Sequence, residues 1–250
     1  MVRSWAVVAA AFLLSAAIVG GSLIAANTID YVKTFDSSVL TVTGSTDVQI
    51  TSDQIKWSGT FGRDVPVASL QQGYAQMLSD ADIVSKFLAD QGVAKDEITM
   101  SSILQSPIQE QCGNPPRAGC TNAIVAYRLT QEVTINSAEV DKITGIAQKT
   151  SQLIDQGVIF SGRNPEYFYS KLPDLRVQLF AGATKDAQAR AEQIAGSTGA
   201  RLGHLVSAST GVIQITPPNS TQISDQGTYD TSTIQKKVTG VVRAQFTLGR

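Results

Sequence analysis

The segment that most limits what this chain can fold into is an uninterrupted apolar run near its N-terminus. Trp5 to Ala26 contains 22 residues and no charged side chain. As a helix it would be about 33 Å long, which matches the roughly 30 Å hydrocarbon core of a bilayer. It also lacks the polar face that a helix on the surface of a globular domain presents to water. The run therefore predicts one N-terminal transmembrane helix.

A cleaved signal peptide is the main alternative for this run. Signal peptides have an apolar core of about 7–15 residues and small residues at positions −3 and −1 of the cut. A cut after Ala26 would put Ile24 at −3, and a cut after Ala25 would put Leu23 there, so both positions fit poorly. Gly20-Gly21-Ser22 offers a weaker site. We expect an uncleaved anchor, with a secreted periplasmic protein or a buried core helix as alternatives.

Charges beside the run predict its orientation. Arg3 and the terminal amine favour a cytoplasmic N-terminus, although Lys33 on the other side makes this bias small. The rest of the chain then lies in the periplasm or outside the cell. The predicted organisation is an anchor and short linker over residues 1–34, followed by one domain over residues 35–250. A domain of that length buries about 70% of the surface that its unfolded chain exposes.

The two cysteines, Cys112 and Cys120, flank a loop that contains Pro115 and Pro116. Structural zinc takes four Cys or His ligands, and the chain has only these two cysteines and one histidine, His204. A thioredoxin-like site has C-x-x-C spacing, whereas seven residues separate this pair. Thiols outside the cytoplasm are oxidised. The pair therefore predicts a disulfide that closes a small loop, and no metal site.

No residue pattern points to nucleic acid or to catalysis. The chain has 20 basic and 21 acidic residues without a basic run, so no nucleic-acid partner is expected. Ala195–Gly199 resembles a nucleophile elbow with Ser197 at its centre, but it ends a predicted helix instead of joining a strand to a helix. The only base for Ser197 would be His204, which makes a serine hydrolase a remote alternative. We predict no catalytic residue, no cofactor and no small-molecule substrate.

Alternating apolar and polar residues predict four strands. The pattern runs through Val39–Ile50, resumes after the turn residues Thr51-Ser52-Asp53 as far as Phe61, and recurs in Val125–Ile135 and Val238–Leu248. Strands with one apolar and one polar face indicate antiparallel sheets. The first two strands are predicted to pair as a hairpin.

Three helices are predicted between the strands. Apolar residues at spacings of three and four predict a helix over Pro66–Gln91, a second from Asn136 to Gly157, and a third from Pro173 to Gly199. Asn136 and Glu139 would form the capping box of the second helix. The fold class is therefore α+β, with antiparallel β-sheet packed by long α-helices.

Small residues and long loops complete the pattern. Ala183, Ala187 and Ala191 form a narrow stripe on the third helix that lets a sheet or a neighbouring subunit approach closely. Two stretches without apolar periodicity, about 105–122 and 216–233, are predicted as long loops. The second is expected to be a mobile excursion between paired strands.

The order of these elements resembles the SIMPL-domain family, bacterial periplasmic or surface proteins that include periplasmic immunogenic proteins. The resemblance covers about Val39–Leu248 and is carried by Asp53 and Trp57, by YFYSKL (Tyr167–Leu172) and by the helix ATKDAQARAEQIA. It is greatest to a subgroup with an N-terminal hydrophobic helix. The chain departs from the family at Ser45-Thr46, where many members have the second glycine of a G-x-G.

The resemblance implies an α+β fold, no catalytic residues, and ring-like or channel-like homo-oligomers with roles tied to envelope stress. Self-association also agrees with the strand pattern, because sheets with one wet face have edges that must be covered or paired. The C-terminal strand is expected at such an edge. We therefore expect a self-assembling structural or interaction protein, with a ligand-binding module that has a pocket between helices and sheet as the alternative.

The anchor can be tested directly on the protein isolated from cells. We expect it to fractionate with membranes and to retain Trp5–Ala26, because neither cleavage position fits a signal peptidase site. Protease added to intact cells should leave the chain from Leu40 onward intact. An N-terminal sequence that begins near Leu23 or Asn27 would instead identify a cleaved, soluble periplasmic protein.

Overall fold

The computed structural model describes residues 21–22, 39–113, 119–222 and 224–249. The predicted N-terminal span lies outside these residues, except for Gly21 and Ser22, which are helical. The predicted boundary between residues 34 and 35 also lies outside them. Within the described ranges, no helix combines the length and the apolar character needed to cross a membrane.

The described residues form a mixed α+β fold of eleven strands and four α-helices. The strands are β1 (Val39–Thr51), β2 (Gln54–Pro66), β3 (Ile98–Met100), β4 (Leu104–Gln109), β5 (Ile124–Ser137), β6 (Phe160–Gly162), β7 (Glu166–Phe168), β8 (Arg201–Thr210), β9 (Gln214–Thr216), β10 (Thr228–Tyr229) and β11 (Gln235–Gly249). The helices are α1 (Leu70–Asp90), α2 (Val140–Ala147), α3 (Gln152–Asp155) and α4 (Leu172–Ser197). Short 3₁₀ turns occupy Val67–Ser69 and Lys95–Glu97.

The strands form two sheets. One follows the order β3-β5-β2-β6, with β4 also on β5 and β7 also on β2, and all of these pairs are antiparallel. The other follows β1-β11-β9-β10, with β8 also on β11, and contains one short parallel pair, β9 with β10. β11 has β1, β8 and β9 as partners, so the prediction that the C-terminal strand lies at an edge is wrong.

The predicted hairpin of β1 and β2 is also wrong, because the two strands belong to different sheets. At their connection, the N–H of Ser52 donates to the carbonyl of Ile234 (2.9 Å) and that of Asp53 to the carbonyl of Phe168 (3.0 Å). The Asp53 carboxylate accepts from the backbone N–H and the hydroxyl of Ser170, at 2.7 and 2.6 Å. These bonds to remote residues make the connection a corner between sheets.

The second predicted helix starts later than expected and is interrupted. β5 continues to Ser137, and Asn136 pairs with Lys56 in the β2–β5 ladder, so Asn136 does not cap a helix. The Ser137 hydroxyl accepts the N–H of Glu139 instead, at 3.0 Å. The helical residues then divide into α2 and α3. Pairing of β5 with the long strand β2 therefore keeps Asn136 extended, despite the local signal for a helix cap at this residue.

The contacts among the described residues divide the chain into two compact units. Unit 1 contains residues 39–47, 175–213 and 239–249, and unit 2 contains residues 48–113, 119–174, 214–222 and 224–238. Unit 2 has the larger apolar core, formed by β2 and β5 with α1, α2 and α3. Trp57 is 1% exposed there, and its indole N–H donates to the carbonyl of Arg163 at 2.9 Å, which satisfies the buried polar atom.

Unit 1 packs α4 against its sheet through small residues. Ala183, Ala187 and Ala191 are fully buried, and the last two pack with Val42, Ala244 and Phe246. A Cβ atom at Gly44 of β1 would overlap the carbonyl oxygen of Ala183 and the backbone nitrogen of Ala187. Only glycine therefore allows this approach. The alanine stripe is core packing within the chain and is not free for a second subunit.

The Asp186 carboxylate adds a hydrogen bond to the packing contact between β1 and α4. The backbone N–H of Ser45, next to Gly44, donates to the Asp186 carboxylate at 2.9 Å. Arg190 lies 2.8 Å from the same oxygen, one helical turn away. The hydrogen bond from Ser45, followed by that from Arg190, lowers the pKa of Asp186 below its ordinary value. β1 and α4 are thus joined by packing and by a hydrogen bond to a charged acceptor.

The cysteine loop connects β4 to β5, which pair antiparallel. The two sulfur atoms of Cys112 and Cys120 lie at disulfide distance, and their Cα atoms are 5.4 Å apart. The N–H of Glu110 donates to the carbonyl of Ala123 at 2.9 Å, which extends the pairing toward the cysteines. The bridge thus closes the end of a hairpin. A disulfide there indicates an oxidising, extracytoplasmic environment.

We expect Gly44→Ala to destabilise the fold by about 1–3 kcal/mol, because the new methyl group overlaps backbone atoms of α4 that cannot rotate away. Gly145→Ala is the matched control. Gly145 lies in α2, where an added methyl group would meet no atom within 4 Å, so alanine should be neutral or stabilise by up to about 1 kcal/mol. Urea unfolding followed by circular dichroism measures both changes. Equal stability of the two variants would contradict the close contact.

We expect both cysteines to resist alkylation until the protein is reduced, after which two thiols per chain should react. Cys112→Ser should leave the fold intact, because the bridge closes only the end of a hairpin. Backbone amides of Gln105–Gly113 and Gly119–Asn122 should then exchange faster in hydrogen-exchange mass spectrometry, while β2 and α1 remain protected. Global unfolding of this variant would show that the bridge supports more than the loop.

Candidate interaction surface

β8 is a ten-residue strand with nine exposed residues, and only Leu202 is half-buried. It pairs antiparallel with β11, from Val242 opposite Thr210 to Gly249 opposite Arg201. No other described strand pairs with it. Along its second edge, the backbone N–H and C=O groups therefore have no strand partner within the described part of the chain. Such an edge is a template for another strand.

The side chains of β8 do little to protect this edge. Proteins commonly protect a free edge with lysine, proline or a bulge. β8 has neither lysine nor proline, although its register with β11 shifts twice near Phe246. Leu205 pairs with Phe246 and Ser207 with Gln245, so Val206 is the extra residue of a bulge. Leu205 and Val206 are 46% and 39% exposed. β8 thus offers a free backbone edge with two adjacent, exposed apolar side chains.

The residues of the remote hydrolase alternative have separate local partners. Ser197 ends α4, and its hydroxyl donates to the carbonyl of Ile194 at 2.8 Å, as is usual at a helix end. His204 lies on β8, with its Nδ1 3.4 Å from the Thr247 hydroxyl. No hydrogen bond joins Ser197 to His204 in the described structure. The arrangement lacks the nucleophile–base contact that the hydrolase alternative requires.

Glu110 is the third member of a potential ligand cluster with the two cysteines. One ligand atom from each residue lies within 4.8 Å of the others. A soft metal ion binds thiolate, and sulfurs held in a disulfide do not supply it. The cluster could bind metal only after reduction of the bridge.

Two ion pairs on unit 2 were not predicted from the sequence. Arg63 donates to both oxygens of Asp80, at 2.5 and 2.7 Å, and the Asp80 side chain is only 4% exposed. Arg128 forms two bonds of 2.7 Å with Asp64 on the neighbouring strand. The hydrogen bond to Asp80 raises the pKa of Arg63, and that from Arg128 lowers the pKa of Asp64. Arg63, Asp64 and Arg128 line an open groove of about 530 Å³, in which each arginine already has a carboxylate partner.

A buried lysine, also not predicted, fixes the end of the 216–233 stretch. Lys236 is 1% exposed and donates to the carbonyl oxygen (2.7 Å) and the carboxylate (3.2 Å) of Asp230. Burial lowers the pKa of Lys236. Burial alone would raise the pKa of Asp230, but bonds from Thr233, Ser232 and Lys236 hold it far below its ordinary value. The predicted mobile excursion therefore ends in a fixed turn.

Sequence signals for these pairs are weak, because their members are separated by between 6 and 64 residues and lie in different elements. By contrast, residues that carried the family resemblance do meet. Asp53 bonds to Ser170 of the YFYSKL segment, as described above. The resemblance thus includes a structural corner of unit 2.

Comparison with known proteins places the chain in a family. The chain has no significant match among curated proteins. A solved structure with some similarity is the regulatory subunit of aspartate kinase from Thermus flavus, at 14% identity over 81% of this chain and 89% of that chain, with a TM-score of 0.19. The family model SIMPL, described as a protein of unknown function (DUF541), matches residues 40–246. Because that match spans most of its length, the chain belongs to the SIMPL family.

Proposed function

We propose that this protein is a non-enzymatic interaction protein of the cell envelope, which assembles with copies of itself through the free edge of β8. An N-terminal helix over Trp5–Ala26 would anchor it, as in the anchored SIMPL subgroup that the sequence resembles, with the SIMPL domain on the outer side of the membrane. The apolar run supports the anchor, and the pair of Cys112 and Cys120 at disulfide distance supports the oxidising compartment. The free edge of β8 is the observation that carries the assembly.

Strand addition at β8 would pair free backbone groups and reduce the exposure of apolar side chains. A second strand would bond the backbone groups that lack a strand partner, and its side chains would pack beside the exposed Leu205 and Val206. β1, which also has a single strand partner among those described, supplies a second edge of the same sheet, on which the N–H of Ser45 is already bonded to Asp186. Pairing β8 of one copy with β1 of the next is a head-to-tail contact, which closes into a ring when its rotation allows.

The polar groups of the domain support a non-enzymatic role. Arg63 and Lys236 are each held by a carboxylate in a pair with a buried member, and Ser197 is held by a helix carbonyl. Side chains committed to such internal partners stabilise a fold and are poorly placed to bind substrate. The roles of these residues are therefore structural in this proposal.

The assembly is tested with the full-length protein, extracted in detergent and measured by size-exclusion chromatography with light scattering. Leu205→Lys/Val206→Lys places two cations on the free edge strand, and lysine on an edge strand opposes the addition of another strand. Wild type should be an oligomer at micromolar concentration, and the double variant should be a monomer with an unchanged circular dichroism spectrum.

The matched control is Val177→Lys/Ile194→Lys. It introduces the same charges at two apolar positions of α4 in the same unit, which are 71% and 45% exposed. This variant should assemble like wild type. A monomeric wild type would refute self-assembly, and a β8 variant that assembles as well as the control would refute the use of this edge.

A further inference from the structure

A second surface of interest lies on unit 2, where the C-terminal half of α1 faces β3. The groove between them has a volume of about 540 Å³, within the roughly 300–1,000 Å³ range of small-molecule sites. It is lined by four apolar residues, Ala89, Val93, Ile98 and Met100, which we call its floor, and by Lys86 and Lys95, which we call its rim. None of its lining residues is acidic.

The floor of the groove is continuous with the core of unit 2. Val93 belongs to that core and is 5% exposed, while the half-buried Ile98 and Met100 pack against it. The groove is open because β3 is the last strand of its sheet and, among the described strands, has only β5 as a partner. An apolar chain laid along the floor would therefore extend an existing core.

The rim supplies positive charge. Lys95 is exposed, and its ammonium group has no ion-pair or hydrogen-bond partner among the described residues. Lys86 lies 2.8 Å from Asp90, but both side chains are largely exposed, and a pair of this kind is weak and exchangeable. An apolar floor beside a cationic rim is complementary to a molecule with one apolar chain and one anionic group.

A peptide fits this groove less well than a small amphiphile. Strand addition gains its affinity from a ladder of backbone bonds, and β3 has only three residues. Apart from the two lysines, Ser85 is the only polar residue of the lining. The groove thus offers apolar contact and charge, with little else to orient a peptide.

We propose that this groove binds a single-chain carboxylate amphiphile, with its alkyl chain on Ile98 and Met100 and its carboxylate at Lys95. This site goes beyond the proposed function. It uses none of the residues of β8, so the site and the assembly can fail independently.

Methionine methyl groups give a local readout of binding. The chain has three methionines; Met100 lines the groove, whereas Met77 is fully buried on α1. Full-length protein with ¹³C-methyl methionine is placed in lipid nanodiscs and titrated with decanoate, and Met100→Leu assigns the signal. The Met100 methyl resonance should shift saturably while that of Met77 stays in place. A Met100 signal that does not move would overturn the proposal.

Variants separate the role of charge from that of apolar contact. Lys95→Gln should weaken decanoate binding about fivefold or more, as expected for loss of one partly exposed charge-assisted hydrogen bond, and Lys95→Arg should restore it. Ala89→Glu should abolish the shift by adding bulk and negative charge to the floor. Ala75→Glu, at an exposed position of the same helix, should bind like wild type.

The head group is tested with decyltrimethylammonium, which has the same chain length and the opposite charge. It should bind more weakly than decanoate by at least the factor lost in Lys95→Gln. Equal binding of the two amphiphiles, or equal effects of Ala89→Glu and Ala75→Glu, would show non-specific apolar partition and would overturn the proposal.

Discussion

Unit 1 depends on the backbone contact between Gly44 and α4. The stripe of Ala183, Ala187 and Ala191 has little apolar surface per residue, so α4 gains useful dispersion energy only when it lies very near the sheet. Gly44 allows this close approach, because a side chain at this position would overlap the backbone of α4. The Ser45–Asp186 hydrogen bond then fixes the helix beside the strand. Packing at short range replaces the large interlocking side chains of unit 2.

Periodicity in the sequence was sufficient to predict the six longest elements of the fold. The alternating patterns match β1, β2, β5 and β11, and the spacing of three and four matches α1 and α4. The same patterns could not identify partners, because alternation tells which face of a strand is buried and not which strand lies beside it. The corner at Ser52 and Asp53 illustrates this limit. Its turn residues were recognised, but the bonds to Ile234 and Phe168 come from residues more than 100 positions away.

The candidate surfaces were harder to predict than the core. β8 has a weak apolar pattern because both of its faces are wet, and recognising an edge requires the complete order of a sheet. The groove beside β3 brings together Lys86 and Lys95 from different elements, which gives no charge run in the sequence. The pairing of Cys112 and Cys120 was easier to predict. The two residues are close in sequence, and the expected oxidising compartment favours a disulfide over a metal site.

The parallel pairing of β9 with β10 has a consequence for how chain length can evolve. Thr228 lies opposite Gln214 and Tyr229 opposite Ile215, and a chain that returns to run parallel needs a connection of about a dozen residues. Deletions between Thr216 and Thr228 would therefore break the pairing. Insertions are different, because each doubling of a closed loop costs only about 0.6 kcal/mol, and the bond between Lys236 and Asp230 holds the far end. This segment therefore accepts insertions but not deletions, so an added peptide or module there should lower the free energy of unfolding only slightly.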